Sequence, residues 1–193
     1  MMIFKRRVLW FADTTVNISP SASDLAEIAL QTADLARTFT VEEPRVAMLS
    51  FSNFGSTDHP DAAKVRQAVE ILRTRAPGLV VDGEMQADTA LEPAISKESF
   101  PFNRVPGNAN ILIFPDLASG NIVYKLLGRM GSAEAIGPIL VGMNKPMSVL
   151  QQNCDINDVV NMAAITAVEI QHMREPGAKI APGYRSPMAN VDR

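Results

Sequence analysis

The sequence predicts an α/β fold, a mainly parallel sheet with helices on both faces. Three observations point there. Short β-rich apolar runs recur at residues 8–12, 45–51, 79–82, 110–114 and 136–143. Stretches with helical spacing lie between them. The runs are also close to continuously apolar rather than alternating, as strands covered on both faces must be. Strand–helix–strand repetition of this kind builds parallel sheets through right-handed crossovers.

The elements follow in order. After the first strand, residues 21–39 place Leu25, Ile28, Ala29, Ala36 and Phe39 on one helical face. Ser21 with Asp24 three residues on is a capping-box start. After the second strand, Val65, Ala68, Val69 and Leu72 repeat the pattern over residues 61–76, and Pro77-Gly78 stops it. Residues 87–97 form a weaker helix, interrupted by Pro93. Residues 117–130 carry Ile122, Val123, Leu126, Leu127 and Met130 at helical spacing. The last helix runs from Ile156 to about His172, capped by Asp155, with Val159, Val160, Ala163, Ala167 and Ile170 inward. From Arg174 onward Pro176, Gly177, Pro182, Gly183 and Pro187 break up a polar tail expected to be mobile or draped on a partner.

Composition narrows the function classes. A chain of 193 residues, 47% hydrophobic and 20% charged, suits one domain or slightly more with a real core. A net charge of −3 provides no global field for nucleic acid or an acidic membrane surface. A single cysteine, Cys154, excludes an intrachain disulfide and a cysteine-based zinc cluster. The two histidines, His59 and His172, stand far apart, and no metal site is expected. Lys5, Arg6 and Arg7 precede an apolar run too short for a signal-peptide core, and no run approaches the roughly 18 apolar residues of a membrane span. A soluble, cytoplasmic protein without nucleic-acid or membrane partners is the expectation.

In open α/β sheets ligands bind beyond the carboxyl ends of the strands. The residues there are 13–17, 50–57, 82–88, 115–121 and 142–146, rich in Ser, Thr, Asn, Asp and Gly. Loops at helix starts favour the same residues for capping alone, so each has an ordinary structural role open to it. There is no GxGxxG, GxxxxGK[ST], HExxH or GxSxG pattern. Cys154 and His172 lie eighteen residues apart on or beside one helix, about 27 Å along its axis, and cannot meet within one chain.

Several blocks are more specific. Ala12-Asp13-Thr14-Thr15-Val16-Asn17, Pro44-Arg45-Val46-Ala47-Met48-Leu49-Ser50 and Asp82-Gly83-Glu84-Met85-Gln86-Ala87-Asp88 come first. Ile113-Phe114-Pro115-Asp116, Gly120-Asn121, Tyr124-Lys125, Ile136-Gly137-Pro138-Ile139-Leu140, Gly142-Met143-Asn144-Lys145-Pro146 and Asp158-Val159-Val160-Asn161 follow. In this order and spacing they resemble the phosphate acetyl/butyryl-transferase family. The Asp-Gly-Glu-Met-Gln-Ala-Asp and Gly-Met-Asn-Lys-Pro blocks look most like the C-terminal transacetylase-like domain of NADP-dependent malic enzymes.

The resemblance implies an isocitrate/isopropylmalate dehydrogenase-like fold of two α/β domains with the active cleft between them. Residues 1–140 would be the second domain, 141–173 the returning segment and helix of an otherwise missing first domain, and 174–193 a flexible tail. The implied ligand is acetyl-CoA or CoA, with no covalently bound cofactor. The ligand-binding candidates are Asn144, Lys145, Gln151, Gln152, Asn121, Tyr124 and Lys125. Family enzymes carry a Ser-Arg pair where Gln151 and Gln152 stand, while their catalytic Asp is retained as Asp158. Losing the guanidinium removes a charge-assisted phosphate contact, and Asp158 also fits a capping box with Asp155. This reading makes the chain a non-catalytic acetyl-CoA-binding, dimerising module of malic-enzyme type. Its expected partners are a second copy through the second domain, and a malic-enzyme catalytic region or an N-terminal half. The alternative is a phosphate acetyltransferase active only with that missing half.

Overall fold

The computed structural model describes residues 1–131, 133–152 and 154–174. The elements are β1 (Met2–Phe4), β2 (Arg7–Ala12), α1 (Ala22–Phe39), β3 (Arg45–Leu49), α2 (Pro60–Arg75) and β4 (Val80–Met85). They continue with α3 (Ala87–Leu91), α4 (Pro93–Ser99), β5 (Ile111–Ile113), α5 (Leu117–Met130), β6 (Glu134–Ala135) and α6 (Ile156–Arg174). One sheet runs in the order β4-β3-β5-β2-β1-β6. Strands β4, β3, β5 and β2 are parallel, and β1 is antiparallel to both β2 and β6. The four parallel strands therefore end along one edge, with β5 inserted between β3 and β2.

Alternation along β3 explains the two layers. Val46 and Met48 join Trp10, Ile111 and Ile113 under α1 and α2, while Ala47 and Leu49 join Leu9, Leu112 and Phe114 on the opposite face. Neither face is left wet, which is why the strands read as unbroken apolar runs. Helix α1 starts at the Ser21–Asp24 capping box expected from sequence, and α2 starts with His59 Nδ1 accepting the Asp61 amide at 3.2 Å. Pro93 splits residues 87–97 into α3 and α4, with Glu92 ending one and capping the other.

Two acids expected at a loop edge instead sit inside β4. Asp82 accepts from Arg73 Nη2 at 2.8 Å and from the Arg104 amide at 2.9 Å. Glu84 is fully buried, and its Oε1 accepts from Ser52 Oγ at 2.7 Å, Arg66 Nη1 at 2.8 Å and the Gly55 amide at 2.9 Å. Its Oε2 has no partner among the described residues. Glu84 thereby pins the loop that follows β3.

Three expectations change. Strand β1 was not expected, because Met2, Ile3 and Phe4 are few; they pair with β2 across a turn at Lys5 and Arg6. Residues 136–143 form no continuous strand: β6 ends at Ala135 and an isolated bridge joins Ile139 to Ser148. Pro138 has no N–H for a ladder, which ends the strand there. In α6 the face carrying Val159, Val160, Ala163, Ala167 and Ile170 is exposed, and the buried residues are Met162 and Ile165. On α5, Ile122, Leu126 and Met130 are likewise exposed. In both helices the described chain offers nothing for that face to pack against. Of the tail expected over residues 174–193, Arg174 instead ends α6, and residues 175–193 lie outside the described residues. Among the described residues, no helix is long and apolar enough to cross a membrane.

Candidate functional site

At the carboxyl end of β2 the chain turns at Asp13. Its carboxylate collects the Thr15, Val16 and Asn17 amides at 2.7, 3.0 and 2.7 Å, and the Asn17 side-chain amide at 2.7 Å. Four donors on one short side chain lock residues 13–17 into a single conformation. Helix α5 begins beside this loop, where Asp116 accepts the Ser119 amide at 2.8 Å. One turn later Gly120 meets the Asp13 carbonyl oxygen so closely that a Cβ would collide with it. Asn121 Nδ2 donates to the Thr14 carbonyl at 3.1 Å. Asn121 is thus a tie between helix and loop.

The rest of α5 carries the functional candidates outward. Tyr124 is half-buried, and Gln151 Nε2 lies 3.5 Å from its hydroxyl oxygen. Both line a cavity of about 370 Å³ bounded by the 13–17 loop, the middle of α1 and residues 135–143. Lys125 is exposed, with its ammonium 5.0 Å from the centre of the Tyr124 ring. A second cavity of about 140 Å³ is lined by Arg129, Leu150, Gln151, Cys154, Asp158 and Met162. The two cavities share the wall at Ala135, Ile136, Gly137 and Gln151.

Asp158 does what the capping reading asks. Its Oδ2 accepts the Asp155 amide at 3.0 Å, while Asp155 Oδ1 accepts the Asp158 amide at 2.9 Å. Its Oδ1 makes no hydrogen bond among the described residues, so one oxygen caps the helix and the other stays open to chemistry. Both roles are compatible.

Of the sequence candidates, the structure gathers Tyr124, Gln151 and Asp158 around the two adjoining cavities, while Asn121 lines neither and ties α5 to the 13–17 loop. It does not bring Lys145 with them. Lys145 lines a groove of about 450 Å³ between the end of α1, residues 140–146 and α6, together with Glu169 and His172, which shares Gln31, Leu35, Leu140, Val141 and Met143 with the 370 Å³ cavity. Asn144 and Gln152 are exposed and line none of these three cavities. Cys154 and His172 line different cavities, as their separation along the chain requires. In the groove, burial raises the Glu169 carboxyl above its ordinary value. Burial also raises Asp34, against the opposing pull of Arg37.

Sequence reasoning missed Arg129. It sits in the last turn of α5, one turn beyond Lys125, and places a cation in the same small cavity as Asp158 and Gln151. Its helical spacing from Tyr124 and Lys125 was visible, but the return of residues 150–158 to that helix end was not. Among the described residues, no group of three or more His, Cys, Asp or Glu is placed to hold a metal ion.

Comparison with known proteins places this geometry. Residues 1–167 match the family model described as phosphate acetyl/butaryl transferase. A phosphate acetyltransferase of Paracoccus denitrificans is 49% identical over 159 residues, covering 82% of this chain and 50% of that protein. The NADP-dependent malic enzyme of Escherichia coli is 47% identical over 164 residues, covering 84% of this chain and 21% of the enzyme. The crystal structure of a phosphotransacetylase from Streptococcus pyogenes superposes with a TM-score of 0.84 at 44% identity, covering 89% of this chain and 53% of that one. The chain spans about half the length of the curated phosphate acetyltransferases it matches.

Proposed function

The chain belongs to the phosphate acetyl/butaryl transferase family, and from that premise we propose that it supplies one wall of a site transferring acyl groups between coenzyme A and phosphate. The observation that carries this reading is the convergence of Arg129, Gln151 and Asp158 on one small cavity. Transfer requires the CoA sulfur to bond to the carbonyl carbon of an acyl phosphate while the carbon–oxygen bond to phosphate breaks. The open Oδ1 of Asp158 takes the thiol proton, which makes the sulfur a nucleophile. Arg129 stabilises charge on the departing phosphate, and the Gln151 amide and Tyr124 hydroxyl are donors for the developing oxyanion.

Residues 1–140 serve, in this reading, as the second domain of a dehydrogenase-like pair. Residues 141–173 return toward a first domain of the same fold, and two copies pair through the second domain. The exposed apolar faces of α5 and α6 support such partners. Acetyl-CoA or CoA is the ligand, with no covalently held cofactor.

The other reading, a regulatory module that binds acetyl-CoA without turning it over, is favoured by the paired amides Gln151 and Gln152 and by the likeness to malic enzyme. It is the weaker one, because Arg129 supplies a cation in spite of Gln152. The deciding experiment measures acetyl-CoA formation from acetyl phosphate and CoA, with the chain alone and with the N-terminal half of a full-length relative added. We expect no turnover alone, turnover with the added half, and its loss on Asp158→Asn. Calorimetric binding of CoA with no turnover in any mixture selects the regulatory reading instead.

A further inference from the structure

Helix α6 rests on α1 through few side chains. Among its described side chains Met162 and Ile165 are buried, Asn161 Nδ2 donates to Glu134 at 3.2 Å, and the Thr166 and Ser148 hydroxyls pair. Its C-terminal half forms one side of the groove that α1 and residues 140–146 complete, and a carboxylate lines that groove from each helix, Asp34 from α1 and Glu169 from α6. Asp34 Oδ1 accepts from Arg37 Nη1 at 2.8 Å. Glu169 Oε2 is buried and has no hydrogen-bond partner among the described residues. Lys145 and His172 complete the charged lining, and among the described residues neither forms an ion pair with Glu169. Glu27, two turns before Asp34, is engaged by Arg75 at 2.7 Å.

An ionised carboxylate oxygen enclosed without a partner has given up its hydration for nothing, whereas the neutral acid is cheap to enclose and can donate a hydrogen bond. We propose that Asp34 and Glu169 form a proton-operated latch between α1 and α6: proton uptake tightens the seating of α6, and proton loss loosens it. Burial raises both carboxyls, Asp34 against the pull of Arg37 and with a further push from Glu27. A raised carboxyl means that the seated helix binds its proton more tightly than the freed one. The latch is therefore closed below the ordinary values of 3.8 and 4.5, and it loosens as pH rises through the raised ones. Helix α6 begins beside Asp158, so the latch bears on how firmly the element carrying that acid is seated, whether the site transfers acyl groups or only binds them.

The test is hydrogen exchange of the full chain from pH 4 to pH 8, corrected for the intrinsic pH dependence of amide exchange and read on peptides from α6 and α2. We expect protection of α6 to fall about twofold per carboxylate as pH rises, while α2 holds constant as the internal reference. Glu169→Gln removes its share of the slope by holding α6 at the acid-side protection, and adding Asp34→Asn flattens the profile. His172→Gln leaves the slope in place. A flat profile in the parent overturns the latch, and that measurement needs no substitution to fold. A slope that survives in the double variant, or one that disappears in His172→Gln alone, overturns it equally.

Discussion

Helices α1 and α6 are nearly equal in length, 18 and 19 residues, and both are rich in alanine and branched apolar side chains. Yet α1 buries Leu25, Ala26, Ala29, Leu30, Ala33 and Ala36 against the sheet and α2, while among the described side chains of α6 only Met162 and Ile165 are buried, at 3% and 6% exposure. Ile156 and Val160 of α6 remain 82% and 60% exposed. Their apolar residues also differ in arrangement. In α1 they form one stripe, whereas in α6 they lie all round the helix, the pattern of an element meant to be enclosed from several sides. Periodicity decides which surface of a helix is apolar; only a neighbour decides whether that surface leaves water.

The sheet and α6 each contain a carboxylate with a buried oxygen, Glu84 wholly enclosed and Glu169 only partly, and these offer the largest and smallest tests of the contrast. Glu84 is held by three donors within the sheet. Glu84→Ala strands Arg66 and frees the loop after β3, with an expected cost of about 3–5 kcal/mol in urea unfolding. A loss below about 1 kcal/mol would mean the loop is held by other contacts.

Next in size, truncation at matched apolar positions should separate the regions directly. Leu72→Ala, in the packed α2 face, is expected to cost about 3 kcal/mol, and Ile156→Ala less than about 0.5 kcal/mol. Equal losses in chemical denaturation would erase the distinction between a core and a waiting surface.

The smallest effect concerns Glu169 on α6, whose Oε2 is buried without a partner among the described residues. Burial raises its folded-state pKa from 4.5, so the folded chain binds this proton more tightly than the unfolded chain. Its favourable contribution is present at acid pH and lost as pH rises through the raised value. Glu169→Gln should therefore melt slightly higher than the parent at pH 7. The gain is below about 0.5 kcal/mol because the group is only partly buried. Near pH 4 the two melting temperatures should converge; a constant offset across the range would assign the effect to packing instead.

What was legible in the sequence follows the same division. The parallel strands were readable because burial on both faces leaves no polar alternation to blur them. The Ser21–Asp24 box, the Pro77-Gly78 stop and the Pro93 break were readable because caps and prolines act within one turn of chain. The exposure of the expected inward face of α6 was not, since Val159, Val160 and Ile170 find nothing to pack against among the described residues. The strand expected over residues 136–143 failed because apolar content outweighed the missing donor of Pro138. Tyr124, Gln151 and Asp158 were chosen through family likeness. Arg129 was missed because only the folded chain brings a helix end and residues 150–158 together.

Gly120 has a bearing on motion. Where two backbones touch with no side chain between them, there is no rotamer to cushion a displacement. The 13–17 loop and the start of α5 must translate as one rigid piece, carrying Asn121, Tyr124 and Arg129 in fixed register. A side chain at 120 would have to push the loop and the helix apart, so this close approach is what keeps Tyr124 beside the 13–17 loop.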